Sequence, residues 1–215
     1  MLKDELQAVR EKFFSKAPEH VTNNVTQATN ELIESGMASG LAEDDIAPDF
    51  TLENASGEFV TLYDELKKGP VILNFYRGGW CPYCNLELRA YEEILNDIKA
   101  EGAQLIAISP QTPDQSLTTR EKNNLSYEVV SDPTQEVIKQ YNLLFELPDY
   151  LVKTYKEDFN IDLNLYNSQD NPWRLPVAGT VVINQDGTII KSSANVDYMY
   201  RTEPREVLMH LKSSK

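Results

Sequence analysis

The sequence predicts an α/β fold, in which a central mixed β-sheet is flanked by helices, with a helical extension at the N-terminus. Three observations lead to this prediction: two successive strand–helix–strand patterns, a later pair of β-rich runs joined by a tight turn, and a final amphipathic helix. A chain of 215 residues, 41% of them apolar, can bury one good core and carry a small appendage. We therefore expect one main domain.

Residues 1 to 44 have the periodicity of two helices. Apolar side chains recur at spacings of three and four on both sides of Pro18, at Leu2, Leu6, Val9 and Phe13 and again at Val21, Val25, Ala28 and Leu32. Such stripes pack either on the main domain or on a second subunit, and packing within the chain is the favoured interpretation. We predict that residues 1–44 are an N-terminal helical extension and that residues 45–215 form the main domain.

The pattern changes to that of strands from residue 47. A short strand pair is indicated by the runs APDFTL and EFVTL, followed by a helical turn at residues 63–66. A buried strand is then predicted at VILNFY (71–76), a helix from Pro82 that Gly102 ends, and a second buried strand at QLIAIS (104–109). Because a helix joins these two strands, they should run parallel.

The second half of the chain repeats this unit and then changes. Helices are predicted near residues 114–123 and 133–141, on either side of a strand at residues 126–131. Residues 142–176 are predicted to be an irregular insertion with one short helix around residues 149–156. The run TVVINQDGTIIKS predicts a hairpin, and Pro204 opens the last helix. This order of elements is typical of a thioredoxin-like fold.

The charge balance limits the partners of the chain. A net charge of -14 repels nucleic acid and anionic membranes, so neither is an expected partner. The first residues, MLKDELQAVREKFF, interleave charged with apolar side chains, and no apolar run reaches the length of a membrane span. A cytoplasmic location is therefore expected.

Both cysteines of the chain, Cys81 and Cys84, lie in the stretch FYRGGWCPYCNLEL. A C-x-x-C pair is half of a zinc site, but the chain has no further cysteine, and His20 and His210 lie at opposite ends. We therefore predict no metal site. A structural disulfide is also disfavoured, because cytosolic thiols are normally kept reduced.

The position of the two cysteines favours dithiol redox chemistry. If Pro82 takes the first position of its helix, Cys81 is the N-cap residue and Cys84 stands at the third position, where the helix dipole lowers thiol pKa values. A Cys81 thiolate would then accept the backbone N–H of Cys84, and Arg77 adds a nearby positive charge. Two thiols this close titrate as a coupled pair, so that one ionises easily and the other resists.

The sequence resembles the peroxiredoxins of the alkyl hydroperoxide reductase C and thiol-specific antioxidant family, within the thioredoxin-fold superfamily. The segments that carry the resemblance are APDFTL, VILNFYRGGWCPYCNLEL, LIAISPQTPD and TVVINQDGTII. The family's peroxidatic cysteine follows a strand Phe by nine positions, and nine positions after Phe75 is Cys84. Cys81 then replaces the Thr of the family pattern. In thioredoxins the first cysteine follows the corresponding Phe by five positions, whereas Cys81 follows Phe75 by six.

The chain departs from the family pattern at two further functional positions. Arg77 stands where the family has its activating Pro, and Ala178 stands where the family's arginine falls. An arginine that polarises the O–O bond of a peroxide must therefore come from elsewhere, and the candidates are Arg77 and Arg174.

The resemblance implies a thiol-dependent peroxidase that needs no cofactor. In this interpretation the thiolate of Cys84 attacks hydrogen peroxide or an alkyl hydroperoxide and becomes a sulfenic acid, and Cys81 condenses with it. Trp80 and Tyr83 would shape the pocket with Arg77 and Arg174, and a thioredoxin-like dithiol or glutathione would reopen the disulfide. Two alternatives stay open: a dithiol–disulfide oxidoreductase with Cys81 as nucleophile, and a non-enzymatic redox sensor. A homo-oligomer is compatible with the peroxidase interpretation and with both alternatives.

Overall fold

The computed structural model describes residues 1–168 and 170–213, and it contains two β-sheets surrounded by helices. The strands are β1 Thr51–Asn54, β2 Phe59–Thr61, β3 Val71–Phe75, β4 Gln104–Ser109, β5 Glu128–Ser131, β6 Leu144–Glu146, β7 Arg174–Pro176, β8 Ala178–Ile183 and β9 Ile189–Asn195. The helices are α1 Leu2–Lys16, α2 Glu19–Ser35, α3 Leu62–Leu66, α4 Pro82–Glu93, α5 Leu95–Ala100, α6 Pro113–Asn123, α7 Glu136–Gln140, α8 Asp149–Glu157 and α9 Pro204–Ser213, with a 3-10 turn at Leu163–Leu165.

The larger sheet has seven strands in the order β2-β1-β5-β4-β3-β8-β9. Strands β3, β4 and β5 run parallel, with Val71 opposite Gln104 at the start of the β3–β4 pair, while β8 lies antiparallel to β3 and to β9. The helices α4 and α6 make the crossovers between the parallel strands, as expected for strand–helix–strand units. The predicted thioredoxin-like α/β fold with a mixed central sheet is therefore confirmed.

Two apolar layers form on the two faces of this sheet. Ile72 of β3 contributes to a layer that also contains Leu88 and Tyr91 of α4. Leu73 and Phe75 contribute to the opposite layer, because successive side chains of a strand point to opposite faces. All five residues of β3 are buried, so the strand that leads into the cysteine loop is a rigid central element.

The N-terminal helix pair is present and packs within the chain. Leu2 and Leu6 of α1 and Val25 of α2 are buried in the apolar layer that contains α4. Helix α1 lies against α4, and α2 lies against α8 of the predicted insertion. The extension therefore contacts both the cysteine helix and the insertion, although its division from the main domain at residue 44 stays a prediction.

The predicted helix after the cysteines is divided in two. The backbone of Ile94 leaves the helical region, with φ -110° and ψ 10°, and so ends α4 before α5 begins. Leu88 before this break and Leu95 and Ile98 after it are all buried, so the apolar periodicity continues across it. No Gly or Pro marks the break in the sequence, and the pattern alone therefore predicted one helix.

The region 142–176 is more regular than predicted. Helix α8 agrees with the predicted helix at residues 149–156, but β6 and β7 also pair as an antiparallel two-stranded sheet. Strands of three residues are too short to show an alternation of apolar and polar side chains. The predicted helix at residues 133–141 is likewise shorter, because Gln135 adopts a left-handed conformation with φ 64° and α7 begins after it.

No helix in the described part of the chain is long and apolar enough to cross a membrane.

Candidate active site

The cysteines lie in the loop and first helical turn that follow the buried strand β3. Cys81 is the N-cap residue of α4 and Pro82 is its first residue, as the sequence predicts. Both thiols are free, and the exposed fractions of Cys81 and Cys84 are 1% and 0%. The predicted capping hydrogen bond from the Cys84 N–H to the Cys81 sulfur is not formed, although the proximity of this N–H is the last of the causes that lower the pKa of Cys81.

Two glycines allow the cysteine loop to pack closely. Gly78 has a φ of 152°, and a Cβ atom there would lie 2.3 Å from Nε1 of Trp80. A Cβ atom on Gly79 would lie 2.3 Å from the hydroxyl of Thr119 on α6. Gly78 and Gly79 therefore let the loop pack closely against the Trp80 ring and α6. This packing fixes the start of α4 and, with it, both thiols.

Two N–H donors point at the sulfur of Cys84. The backbone N–H of Arg77 lies 3.4 Å from it, and Nη2 of Arg201 lies 3.5 Å from it. Arg201 belongs to the connection between β9 and α9, and its Nη1 also donates to the carbonyls of Tyr198 and Tyr200. Three hydrogen bonds from one guanidinium therefore hold a positive charge beside Cys84.

The same arginine forms a buried ion pair with Glu87. Nε of Arg201 lies 2.8 Å from Oε2 of Glu87, and the exposed fractions of the two side chains are 2% and 1%. Burial raises the pKa of Glu87 to about 7, against the lowering effect of the Arg201 charge. Glu87 is three positions after Cys84 on α4, so that one helix face presents both the thiol and the carboxyl group.

The negative charge of the dithiol is favoured on Cys81. Burial opposes ionisation of this thiol, but the hydrogen bond from Cys84 and the charges of Arg77 and Arg201 outweigh burial and lower the Cys81 pKa to about 6. Burial, together with the hydrogen bond to Cys81 and its charge, raises the pKa of Cys84 well above the ordinary value. One thiolate is therefore present at neutral pH, and the second thiol stays protonated.

This ionisation predicts how the alkylation rate of the reduced protein depends on pH. The rate of alkylation by iodoacetamide should be half-maximal near pH 6, because only the thiolate reacts and the Cys81 pKa is about 6. In denaturant, the thiols of the unfolded protein should titrate at about pH 8.5. The Cys81→Ser variant should lose the rate increase near pH 6. A midpoint near the unfolded value in the folded protein would contradict the assignment.

Aromatic rings surround the guanidinium of Arg77. Its central carbon lies 4.0 Å from the ring centroid of Tyr198 and 5.2 Å from that of Trp80, and Nη2 donates to the hydroxyl of Tyr155. Arg77 is 2% exposed, and its Nε and Nη1 have no hydrogen-bond partner among the described residues. Cation–π contacts of this kind stabilise a desolvated guanidinium while two of its nitrogens remain free to bind an acceptor.

A cavity of about 230 Å³ lies over Cys81. It is lined by the following residues: Phe13, Arg77, Trp80, Cys81, Pro82, Tyr83, Tyr155, Phe159, Ile161 and Tyr198. Trp80 Nε1 and the Tyr83 hydroxyl are buried and, like the two nitrogens of Arg77, have no hydrogen-bond partner in the described chain. The cavity is therefore mainly apolar, with several unused donors near the thiolate.

The structure brings together five of the six predicted site residues. Cys81, Arg77, Trp80 and Tyr83 line the cavity, and the sulfur of Cys84 accepts a hydrogen bond from the backbone N–H of Arg77. Arg174 does not, because it lies on β7 and pairs with Glu146 of β6 at 3.4 Å. The structure thus gives no support to the prediction that Arg174 binds the substrate.

Arg201 and Glu87 are functional candidates that the sequence interpretation missed. Ala178, where the family arginine was expected, is buried in β8, and Arg201 supplies the positive charge from a different connection. No local pattern predicts this contact, because 117 residues separate Arg201 from Cys84. The one available signal in the sequence was the spacing of Glu87 from Cys84, which places both side chains on the same face of the helix.

No group of three or more His, Cys, Asp or Glu side chains is arranged to hold a metal ion within residues 1–168 and 170–213.

Comparisons with known proteins identify the family of the chain. The model of the AhpC/TSA family matches residues 44–192. Peroxiredoxin Bcp of Escherichia coli is 29% identical over 111 residues, which cover 52% of this chain and 70% of the relative. Peroxiredoxin Q of Gentiana triflora chloroplasts is 30% identical over 130 residues and 59% of each chain.

A solved structure supports the same fold. The crystal structure of peroxidoxin BcpB from Mycobacterium tuberculosis superposes with a TM-score of 0.62 at 20% identity, and the match covers 83% of this chain and 99% of that one. The family match includes both cysteines and Arg77, but not α1, α2 or Arg201. The chain belongs to the AhpC/TSA family and is a thioredoxin-fold peroxiredoxin.

Proposed function

We propose that the Cys81–Cys84 dithiol performs the thiol-dependent peroxidase activity of the peroxiredoxin family in the cavity over Cys81. One observation carries the proposal: both thiols are almost completely buried, close to two arginines, beneath a cavity of about 230 Å³. A cavity of this size admits a small hydroperoxide to the wall formed by Cys81. The oxidoreductase activity of the family fits this geometry.

The chemical steps need one thiolate, one thiol and one proton. The thiolate attacks the nearer oxygen of the hydroperoxide, the O–O bond breaks, and the departing oxygen takes a proton and leaves as water or an alcohol. The resulting sulfenic acid then reacts with the second thiol, which forms the disulfide and releases water. The free nitrogens of Arg77 and the Tyr83 hydroxyl are suitably located to donate to the peroxide oxygens.

The order in which the two sulfurs react is part of the proposal. The spacing from Phe75 favours Cys84 as the attacked sulfur, and the two N–H donors at 3.4 and 3.5 Å would stabilise a thiolate there. The lowered pKa of Cys81 and its position in the cavity wall favour Cys81. We propose that Cys81 attacks the hydroperoxide and that Cys84 resolves the sulfenic acid, because the attacking sulfur must be both ionised and in contact with the substrate.

Peroxides are the substrates of the family, and thioredoxin-type dithiols are its reductants. For this chain we propose a thioredoxin-like protein rather than glutathione as the reductant. Two closely spaced sulfurs of the reductant can complete the exchange before the first mixed disulfide is lost. Cys81, which borders the cavity, is the sulfur that such a reductant would attack.

Intact mass after one equivalent of hydrogen peroxide tests the order of attack. The wild-type protein should lose two hydrogens, whereas Cys84→Ser should gain one oxygen as a sulfenic acid on Cys81. Cys81→Ser should react slowly, since burial, the largest cause of the raised Cys84 pKa, remains in this variant and Cys84 does not line the cavity. If Cys81→Ser instead traps the oxygen and Cys84→Ser does not, Cys84 is the attacked sulfur, as its spacing from Phe75 predicts.

A dithiol–disulfide oxidoreductase is the second candidate, and the ionisation pattern favours it. A first cysteine with a lowered pKa and a second with a raised pKa suit attack on a disulfide as well as on a peroxide. The match to the AhpC/TSA family favours the peroxidase. Reduction of insulin disulfides by the dithiol at a rate above its peroxide reduction would reverse this preference.

A further inference from the structure

The N-terminal extension contributes a side chain to the cavity over Cys81. Phe13, near the C-terminal end of α1, lines the cavity together with residues of the family domain. Helix α1 lies outside the matched segment 44–192, so this wall is not part of the shared family domain. Leu2 and Leu6 are buried and hold α1 on the protein.

A second pocket of about 450 Å³ adjoins the first. It lies between α1, the turn at Pro18 and the end of α8, and it is more open to solvent than the cavity over Cys81. Phe13 and Phe159 are the two residues that line both spaces. Their ring centroids lie 6.1 Å apart in an edge-to-face arrangement, so the two rings form the partition between the outer pocket and the reactive sulfur.

The partition is built from two side chains that are not fully buried. Phe13 and Phe159 are both partly exposed, whereas Tyr155 and Tyr83 are buried. A single edge-to-face aromatic pair adds only modestly to the stabilisation that its buried area provides. Phe13 also contacts Phe14, and Phe159 also contacts Tyr155, so rotation or displacement of the two rings would break a few ring contacts and connect the outer pocket with Cys81.

We propose that Phe13 and Phe159 form the gate through which hydroperoxides reach Cys81, and that the gap between the two rings sets the upper size limit of the substrate. The proposal rests on the proposed peroxidase function, since it assigns the entry path of that substrate. In this gate, Phe13 of the N-terminal extension acts with Phe159 at the end of α8 to select the substrate by size.

Reaction with thiol reagents of two sizes tests the gate without any peroxidase turnover. Reduced wild type, Phe13→Ala and Phe159→Ala would be treated with iodoacetamide and with the bulkier N-phenylmaleimide. Each variant should increase the maleimide rate on the order of tenfold and leave the iodoacetamide rate almost unchanged, because loss of a ring relaxes a steric limit. Phe14→Ala is the matched control, since Phe14 neighbours Phe13 on α1 but lines neither pocket.

The same variants would then be assayed with hydrogen peroxide and cumene hydroperoxide. Both gate variants should raise kcat/KM for the bulky hydroperoxide relative to that for hydrogen peroxide, with unchanged far-ultraviolet circular dichroism. Equal effects of Phe14→Ala, or no change in the ratio of the two alkylation rates, would overturn the gate. A changed alkylation ratio without peroxide reduction by any form would support the gate and refute the proposed function.

Discussion

Replacement of Arg201 by alanine is expected to destabilise the protein by about 3–5 kcal/mol and to slow its reaction with peroxide. The stability loss follows from the ion pair with Glu87, whose two side chains are almost completely buried and lie 2.8 Å apart. Removing the arginine leaves a carboxyl group in an apolar site with no compensating charge. The slower reaction follows because Arg201 lowers the pKa of Cys81 and donates to the sulfur of Cys84.

The stability loss should depend on pH with a defined sign. Burial already raises the pKa of Glu87 to about 7, and loss of Arg201 removes the charge that opposes this increase. A carboxyl group with a raised pKa in the folded state binds its proton more tightly there than in the unfolded chain. The free energy of unfolding of Arg201→Ala should therefore decrease as pH rises through neutrality, more steeply than that of the wild type.

Urea denaturation at several pH values, with peroxide consumption measured in parallel, checks both effects. Arg205→Ala is the matched control, because Arg205 is 73% exposed and lies 4.0 Å from Asp97, and exposed pairs contribute about 0–1 kcal/mol. The double variant Arg201→Ala, Glu87→Leu should recover much of the stability but not the peroxide reaction. If Arg201→Ala lowers the free energy of unfolding by less than about 1 kcal/mol, the ion pair between Arg201 and Glu87 does not stabilise the site.

Arg77→Met is expected to slow peroxide reduction strongly and to affect stability less than Arg201→Ala does. The rate of peroxide reduction should fall on the order of 10²-fold, because the variant loses the charge that lowers the Cys81 pKa and two free donors in the cavity. The free energy of unfolding should fall by less than it does in Arg201→Ala, because removal of buried N–H groups that have no partner among the described residues offsets part of the lost hydrogen bond to Tyr155 and the lost cation–π contacts.

Stopped-flow measurement of peroxide reduction, together with urea denaturation, checks this prediction. Arg174→Met is the control, because Arg174 was a sequence-based candidate for the same role but pairs with Glu146 away from the cysteines. It should retain the wild-type rate. An equal loss of rate in both variants would mean that Arg77 does not act on the substrate directly.

Periodicity was sufficient to predict the large sheet and most of its helices. The apolar runs of β3 and β4 and the stripe of α4 each continue over enough residues to be unambiguous, and Pro82 and Pro204 mark the starts of their helices. The features that the sequence analysis missed are short strands and a single break in a helix. The strands β6 and β7 have three residues each, and the break at Ile94 depends on backbone angles that no Gly or Pro announces.

The candidate site was predictable only where its residues are close in sequence. The stretch from Arg77 to Cys84 forms one loop and one helical turn, so its members had to be neighbours in the fold. The position of Arg201 depends instead on the connection after β9, and that of Phe13 on how α1 packs against α4. Contacts of this kind are set by tertiary packing, which a single sequence does not encode as a local pattern.

The buried charges around the cysteines also affect the redox potential of the dithiol. In the reduced protein, the positive charges of Arg77 and Arg201 are balanced by the thiolate of Cys81 and in part by Glu87, whose pKa is about 7. Disulfide formation consumes the thiolate and leaves one buried positive charge without a counterpart. Stabilisation of the reduced form in this way raises the reduction potential. Electron donation by a thioredoxin-type protein is thereby favoured, and the resting enzyme is kept in the dithiol state that can react with the next peroxide.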